Sequence, residues 1–144
     1  MFGMTKMQFL RRSAKCMDET GGLLLLLKEV IDKEFHGKIR KSEASKKMDI
    51  IRRKIESLFE EFEKLNPPSQ CNPLKRNILN ILINMQEIVV TNSESLSSAK
   101  EDLREQSQDK LKESREKLEM FRKDFHDLTK RVNILLLEKK KGNT

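Results

Sequence analysis

Residues 93–141 contain neither glycine nor proline, and apolar side chains recur through them at Leu111, Leu118, Phe121, Phe125, Leu128, Val132 and Leu135. The intervals are seven, then three and four in alternation, so these side chains line one seam of a long helix. Such a helix needs another surface to lie against, which points to a helical bundle or a coiled coil. The composition agrees. Five Gly, three Pro and no Trp or Tyr in 144 residues leave too little turn punctuation for a β-sandwich or barrel. With 36% hydrophobic and 37% charged residues, the chain can bury one modest core. The expectation is a single all-α domain over residues 1–144.

Stop signals divide the chain into four helical segments. The first is predicted over about 5–35, with Leu10, Ala14, Met17, Leu24, Leu27, Ile31 and Phe35 near an i, i+3/i+4 rhythm and Gly37 as its C-terminal cap. Gly21 and Gly22 interrupt it, so it is read as one bent helix with a close neighbour at Gly21, or as two helices with Thr20 capping the second. The second is predicted over about 42–65, capped by Ser42 and ended by Asn66-Pro67-Pro68. Residues 66–72 form the loop.

Asn72-Pro73 opens a third helix over about 73–90, apolar around most of its circumference. Such a helix is expected to be the buried central one, or to be covered by a partner chain. Thr91 and Glu94 match a capping box and place a fourth helix at about 93–140. Its pairs Glu113 with Lys117, Glu119 with Lys123 and Asp127 with Arg131 follow the favourable i, i+4 order.

These boundaries give an up-down four-helix bundle with long first and last helices. They also create a mismatch, because the fourth helix would be about 70 Å long and the third about 27 Å. Either the fourth breaks near Ser107, in a stretch carrying Ser97, Ser98, Ser107 and Ser114, or its overhang extends as a coiled coil with another chain. The seam residues Leu118, Phe121, Phe125, Leu128, Val132 and Leu135 are therefore candidate partner contacts if the seam is intermolecular, and core if it is not.

The net charge of +7 gathers at the chain ends: Lys6, Arg11, Arg12 and Lys15 stand in an acid-free residue 1–17 stretch, and Lys139, Lys140 and Lys141 form a second cluster. The first of these is a candidate basic surface. Interleaved with Met1, Phe2, Met4, Met7, Phe9 and Leu10, it suits an interfacial helix on an anionic membrane, or an ordinary bundle helix with a Met-rich face for partners. The apolar run 23–27 is far short of the roughly 20 residues that span a bilayer. Two cysteines define no disulfide framework, so an intracellular, reducing compartment is expected, with the cytoplasm ahead of a mitochondrial presequence reading.

Catalytic constellations are not evident. His36 and His126 stand apart, no Cys-x-x-Cys or His-x-x-x-His spacing exists, and Gly21-Gly22 lacks the strand and Gly-Lys-Ser/Thr of a phosphate loop. Cys16 lies among Lys15, Arg11 and Arg12, which could activate a thiolate, but a buried, idle thiol is the simpler reading. The acids Glu60, Glu61 and Glu63 read as a solvated face. No enzyme activity, cofactor or metal is expected. Helix 2 carries Lys46, Lys47, Arg52, Arg53 and Lys54, but as many acids, which argues against nucleic acid.

Residues 29–90 resemble a BAG domain, the three-helix module that binds Hsp70-type chaperones. The resemblance rests on Glu29-Val30, Phe35-His36-Gly37-Lys38, Glu43-Ala44, Lys47, Asp49, the apolar helix from Ile51, Leu74-Lys75-Arg76 and Met85-Gln86. It implies a co-chaperone that contacts an ATPase domain through basic and glutamine positions of the third helix. Here that helix is mostly Ile, Leu and Asn, with Arg76 and Gln86 as the matching types. Taken together, the sequence is expected to specify a non-catalytic protein-interaction module, an adaptor, scaffold or assembly subunit, with homodimerisation through the C-terminal helix as one route. A BAG-like co-chaperone and a peripheral membrane binder are the alternatives.

Overall fold

A computed structural model describes residues 3–142; Met1 and Phe2 of the N-terminal apolar set lie outside the described residues. Four helices run α1 (Lys6–Phe35), α2 (Lys41–Glu63), α3 (Asn72–Lys100) and α4 (Arg104–Gly142), with a 3-10 turn at Ser69–Cys71 before α3. Among the described residues there is no strand. Each helix packs antiparallel on the next, and α4 returns to lie along α1, which closes an all-α, up-down four-helix bundle.

Thr5 starts α1 with a capping box. Its hydroxyl accepts from the Gln8 N–H at 3.1 Å, while the Gln8 side chain accepts from the Thr5 N–H at 2.8 Å. The helix is continuous through its glycines. Thr20 caps nothing; its hydroxyl donates to the Cys16 carbonyl at 2.7 Å inside the helix. A Cβ on Gly21 would stand 3.4 Å from the Phe125 ring, so the close neighbour expected there is α4. Gly37 ends the helix at φ +65°, with its N–H on the Glu34 carbonyl and the Lys38 N–H on the Lys33 carbonyl. That is a Schellman cap, and glycine enters its left-handed position without a Cβ penalty.

Helix α2 departs slightly from expectation. Arg40, not Ser42, is its N-cap, and no side chain caps it. The larger correction concerns the boundary between the third and fourth helices. Thr91 and Glu94 form no capping box, because α3 runs on to Lys100. Thr91 donates to the Glu87 carbonyl at 2.9 Å, and Asn92 and Ser95 face the core. The chain turns at Glu101-Asp102-Leu103 by a second Schellman cap: the Asp102 N–H bonds the Ala99 carbonyl, and the Leu103 N–H bonds the Ser98 carbonyl. Asp102 takes φ 62° there, the left-handed conformation that Asp tolerates better than most residues.

This shift reduces the length mismatch from about 43 Å to about 15 Å. With 29 residues α3 is about 44 Å long, and with 39 residues α4 is about 58 Å. Ser107 does not break α4. Ser95 donates to the Ser107 carbonyl at 2.7 Å and Ser107 donates to the Ser95 carbonyl at 2.8 Å, so the two small side chains let α3 and α4 approach and satisfy each other. Below this polar contact the core is apolar: Phe9, Leu10, Met17, Leu27 and Ile31 from α1, Met48, Ile51 and Ile55 from α2, Ile78, Leu82, Met85 and Ile88 from α3, and the α4 seam.

Candidate interaction surfaces

The α4 seam is internal. Leu118, Phe121, Leu128 and Val132 are buried, and Phe125 and Leu135 are partly buried against the same core. Phe121 and Phe125 stack with centroids 5.9 Å apart, and Phe125 reaches Gly21 of α1. The reading in which these six residues hold a partner, or pair with another copy as a coiled coil, is corrected accordingly: α1 and α3 already occupy them. Glu113 does pair with Lys117, at 3.6 Å, whereas Glu119 pairs with Arg122 at 3.1 Å.

The basic candidates are on the outside. Arg11, Arg12 and Lys15 are exposed and Lys6 is half-buried. Arg12 and Lys15 share a shallow depression between α1 and α2 with Glu19 and Glu61, which offset part of their charge.

A groove of about 550 Å³, unmarked by any motif, runs along the outer face of α3 between α2 and α4. Leu82, Ile83 and Val90 form its floor, and Ile55 and Phe59 of α2 its apolar wall. Ile83 and Val90 are 44% and 47% exposed, high values for aliphatic side chains on so apolar a helix. Five carboxylates, Glu56, Glu60, Glu87, Glu94 and Glu113, face two lysines, Lys110 and Lys117, around this floor. The groove therefore carries a formal charge of −3 in a chain of +7.

Its α4 rim is braced. The Lys110 ammonium lies 3.1 Å from Glu94 and 3.3 Å from Glu113, and these bonds raise the Lys110 pKa and lower that of Glu113. Lys117 donates to the Thr91 hydroxyl at 3.1 Å. On the α2 rim Arg52 holds Glu56 at 2.9 Å. The signal that could have found the groove was the surplus of apolar positions on the third helix, more than an inward face can use.

One titratable group is buried in the bundle. Glu34, near the end of α1, accepts from the Asn92 amide at 2.6 Å, and Ser114 lies 3.4 Å from the same amide nitrogen. Burial raises the Glu34 carboxyl to about 7, against weaker opposing effects of the Asn92 bond and Lys41. Its second oxygen Oε1 and the Asn92 Oδ1 have no hydrogen-bond partner among the described residues. Cys16 is pushed up to about 11, mainly by burial, so its neighbouring cations do not activate it. His36 and His126 are exposed on separate helix surfaces. Among the described residues no three His, Cys, Asp or Glu side chains gather as a metal site, and no helix is long and apolar enough to cross a membrane.

Arg76 and Gln86, the matching positions of the BAG resemblance, stand ten residues apart on α3, about 15 Å along its axis and about 80° apart around it. Gln86 lines the groove beside Glu56, while Arg76 lies near the start of α3. Comparison with protein-family models, with curated proteins and with solved structures finds no match to this chain.

Proposed function

We propose that this chain is a non-catalytic interaction module that seats one amphipathic helix of a partner protein in the α2–α3–α4 groove. The observation that carries the reading is the pairing of an exposed aliphatic floor with a net negative rim on a net positive molecule. From Leu82 to Glu94 the groove is about 18 Å long, enough for three turns of a docked helix. Apolar anchors at i, i+3/i+4 and i+7 would fill the floor, and cations on the flanks would meet Glu60 and Glu87. Burial supplies the affinity; the charges select the partner and speed its approach. Two free, buried thiols fit a reducing compartment.

The test uses two synthetic peptides with the same helical leucine pattern, one with lysine and one with glutamate on its polar face, titrated into the full chain by calorimetry. The lysine peptide should bind and the glutamate peptide should not. Ile83→Asp with Val90→Asp should weaken the lysine peptide at least thirtyfold with melting unchanged, since both side chains are exposed. Equal binding of both peptides, or binding indifferent to the double substitution, defeats the proposal.

A further inference from the structure

The up-down topology brings the two basic chain ends together. Phe125 lies on Gly21, and Arg115 stacks 3.6 Å over the Phe35 ring. Extending that antiparallel register places the last turns of α4 beside the first turns of α1. The Met4 N–H bonds the Asn66 carbonyl, and Lys75 bonds the carbonyls of Glu63 and Leu65, so the α2–α3 connection belongs to the same end.

Counted over residues 6–15, 60–76 and 130–142, this end holds twelve Lys and Arg against four Glu. It is a pole of +8, and the remainder of the chain has a formal charge of −1. Charge that looks scattered to the two termini in the sequence gathers around one end of the bundle in the fold.

The pole also carries exposed aliphatics. Lys130, Ile134, Leu137 and Lys141 recur at four, three and four residues, which puts them in one outward line on α4. Ile134 and Leu137 are 51% and 56% exposed. The flank of α4 nearest α1 adds Lys140, and the flank of α1 nearest α4 adds Arg11, each within about 80° of the Phe125 and Gly21 lines that join the two helices.

We infer that this pole docks on an anionic lipid surface, with Ile134 and Leu137 entering the headgroup boundary between cations from both chain ends. Two weak signals acting together, charge and a short apolar stripe, are what reversible bilayer attachment requires. Nucleic acid fits less well. Phe9 and Phe62 are the rings at this end among the described residues, both are buried, and none is left to stack on a base. The inference does not rest on the groove: Glu60 is common to both, but the groove's Lys117 and the pole's Leu137 stand about 30 Å apart along α4.

Sedimentation of the full chain with vesicles tests it. Phosphatidylcholine vesicles should leave the protein in solution. Vesicles with phosphatidylserine as the minor component should carry it down and release it at high salt. A cation near such a surface strengthens binding roughly fivefold, so Arg11→Glu and Lys140→Glu should each weaken binding by at least that factor. Ile134→Asp with Leu137→Asp should weaken it tenfold or more without changing the melt. The inference is overturned if phosphatidylserine has no effect, or if only one chain end matters. It is equally overturned if Ile134→Asp with Leu137→Asp binds as well as the parent.

Discussion

Burying Glu34 ties the stability of this bundle to pH. Its carboxyl rises from 4.5 to about 7 because burial penalises the charged form. The folded state therefore holds the proton more tightly than the unfolded chain does. The resulting stabilisation is fully present below about pH 4.5 and is lost as pH rises through 7. At 1.36 kcal/mol per pKa unit, the difference is about 3 kcal/mol. For a domain whose whole stability is roughly 5–15 kcal/mol, that is a large fraction. Glu34→Gln removes the charge and keeps the shape. The new amide can still accept from Asn92, and it brings a donor to a place where Glu34 Oε1 and Asn92 Oδ1 lack partners. The assay is urea unfolding at intervals from pH 5 to 8, parent against Glu34→Gln. The parent should weaken by about 2.5 kcal/mol across that range, and the variant should stay nearly flat and exceed it at pH 8. In a thermal melt the gap at pH 8 should be on the order of 10 °C. Glu29, Asp49 and Glu113 do not blur the window: surface partners lower their pKa values, so their contributions fade only under more acid conditions. A parent whose stability does not change over pH 5–8, or a variant that follows the parent's slope, would show that Glu34 does not couple folding to pH.

Other expectations follow from the packing. Phe125→Asp should unfold the domain, with a loss of about 3 kcal/mol or more, because the ring packs on Phe121 and Gly21; a folded monomer in its place would return the seam to an intermolecular role. Asp102→Gly should stabilise by about 1 kcal/mol in chemical denaturation, since glycine enters φ 62° without the Cβ clash; a loss would mean that the Asp side chain matters there. Ser107→Val should cost about 1–3 kcal/mol, because it removes the bond from the Ser107 hydroxyl to the Ser95 carbonyl and puts a bulkier side chain into the close α3–α4 contact, and Ser97→Val on the exposed side should cost far less.

The fold was legible where a residue has one strong local meaning. Pro67-Pro68 can only stop α2, Gly37 suits only a left-handed cap, and the α4 seam repeats at helical spacing. The turn between α3 and α4 was hidden because residues with several meanings stand on both sides of it. Thr91, Asn92 and Ser95 resemble a helix start, yet their side chains donate elsewhere: Thr91 back to the Glu87 carbonyl of its own helix, Asn92 across to Glu34 and Ser95 across to Ser107. The real turn uses Asp102 in a conformation that sequence habit assigns to glycine. The groove was half legible: the excess of Ile and Val on the third helix implied a covering surface, but its acidic rim draws on three helices and exists only after they pack. The basic pole was divided between two termini for the same reason.

Nuclear magnetic resonance mapping of the lysine-faced peptide on the full chain locates the docking site residue by residue. A helix seated in the groove shifts amides centred on Ile83, Gln86 and Val90, with Phe59 and Lys117 at the edges and the 118–135 seam quiet. Shifts centred on Leu118, Phe125 and Val132 instead would contradict that placement, because they would show the seam opening to receive the partner.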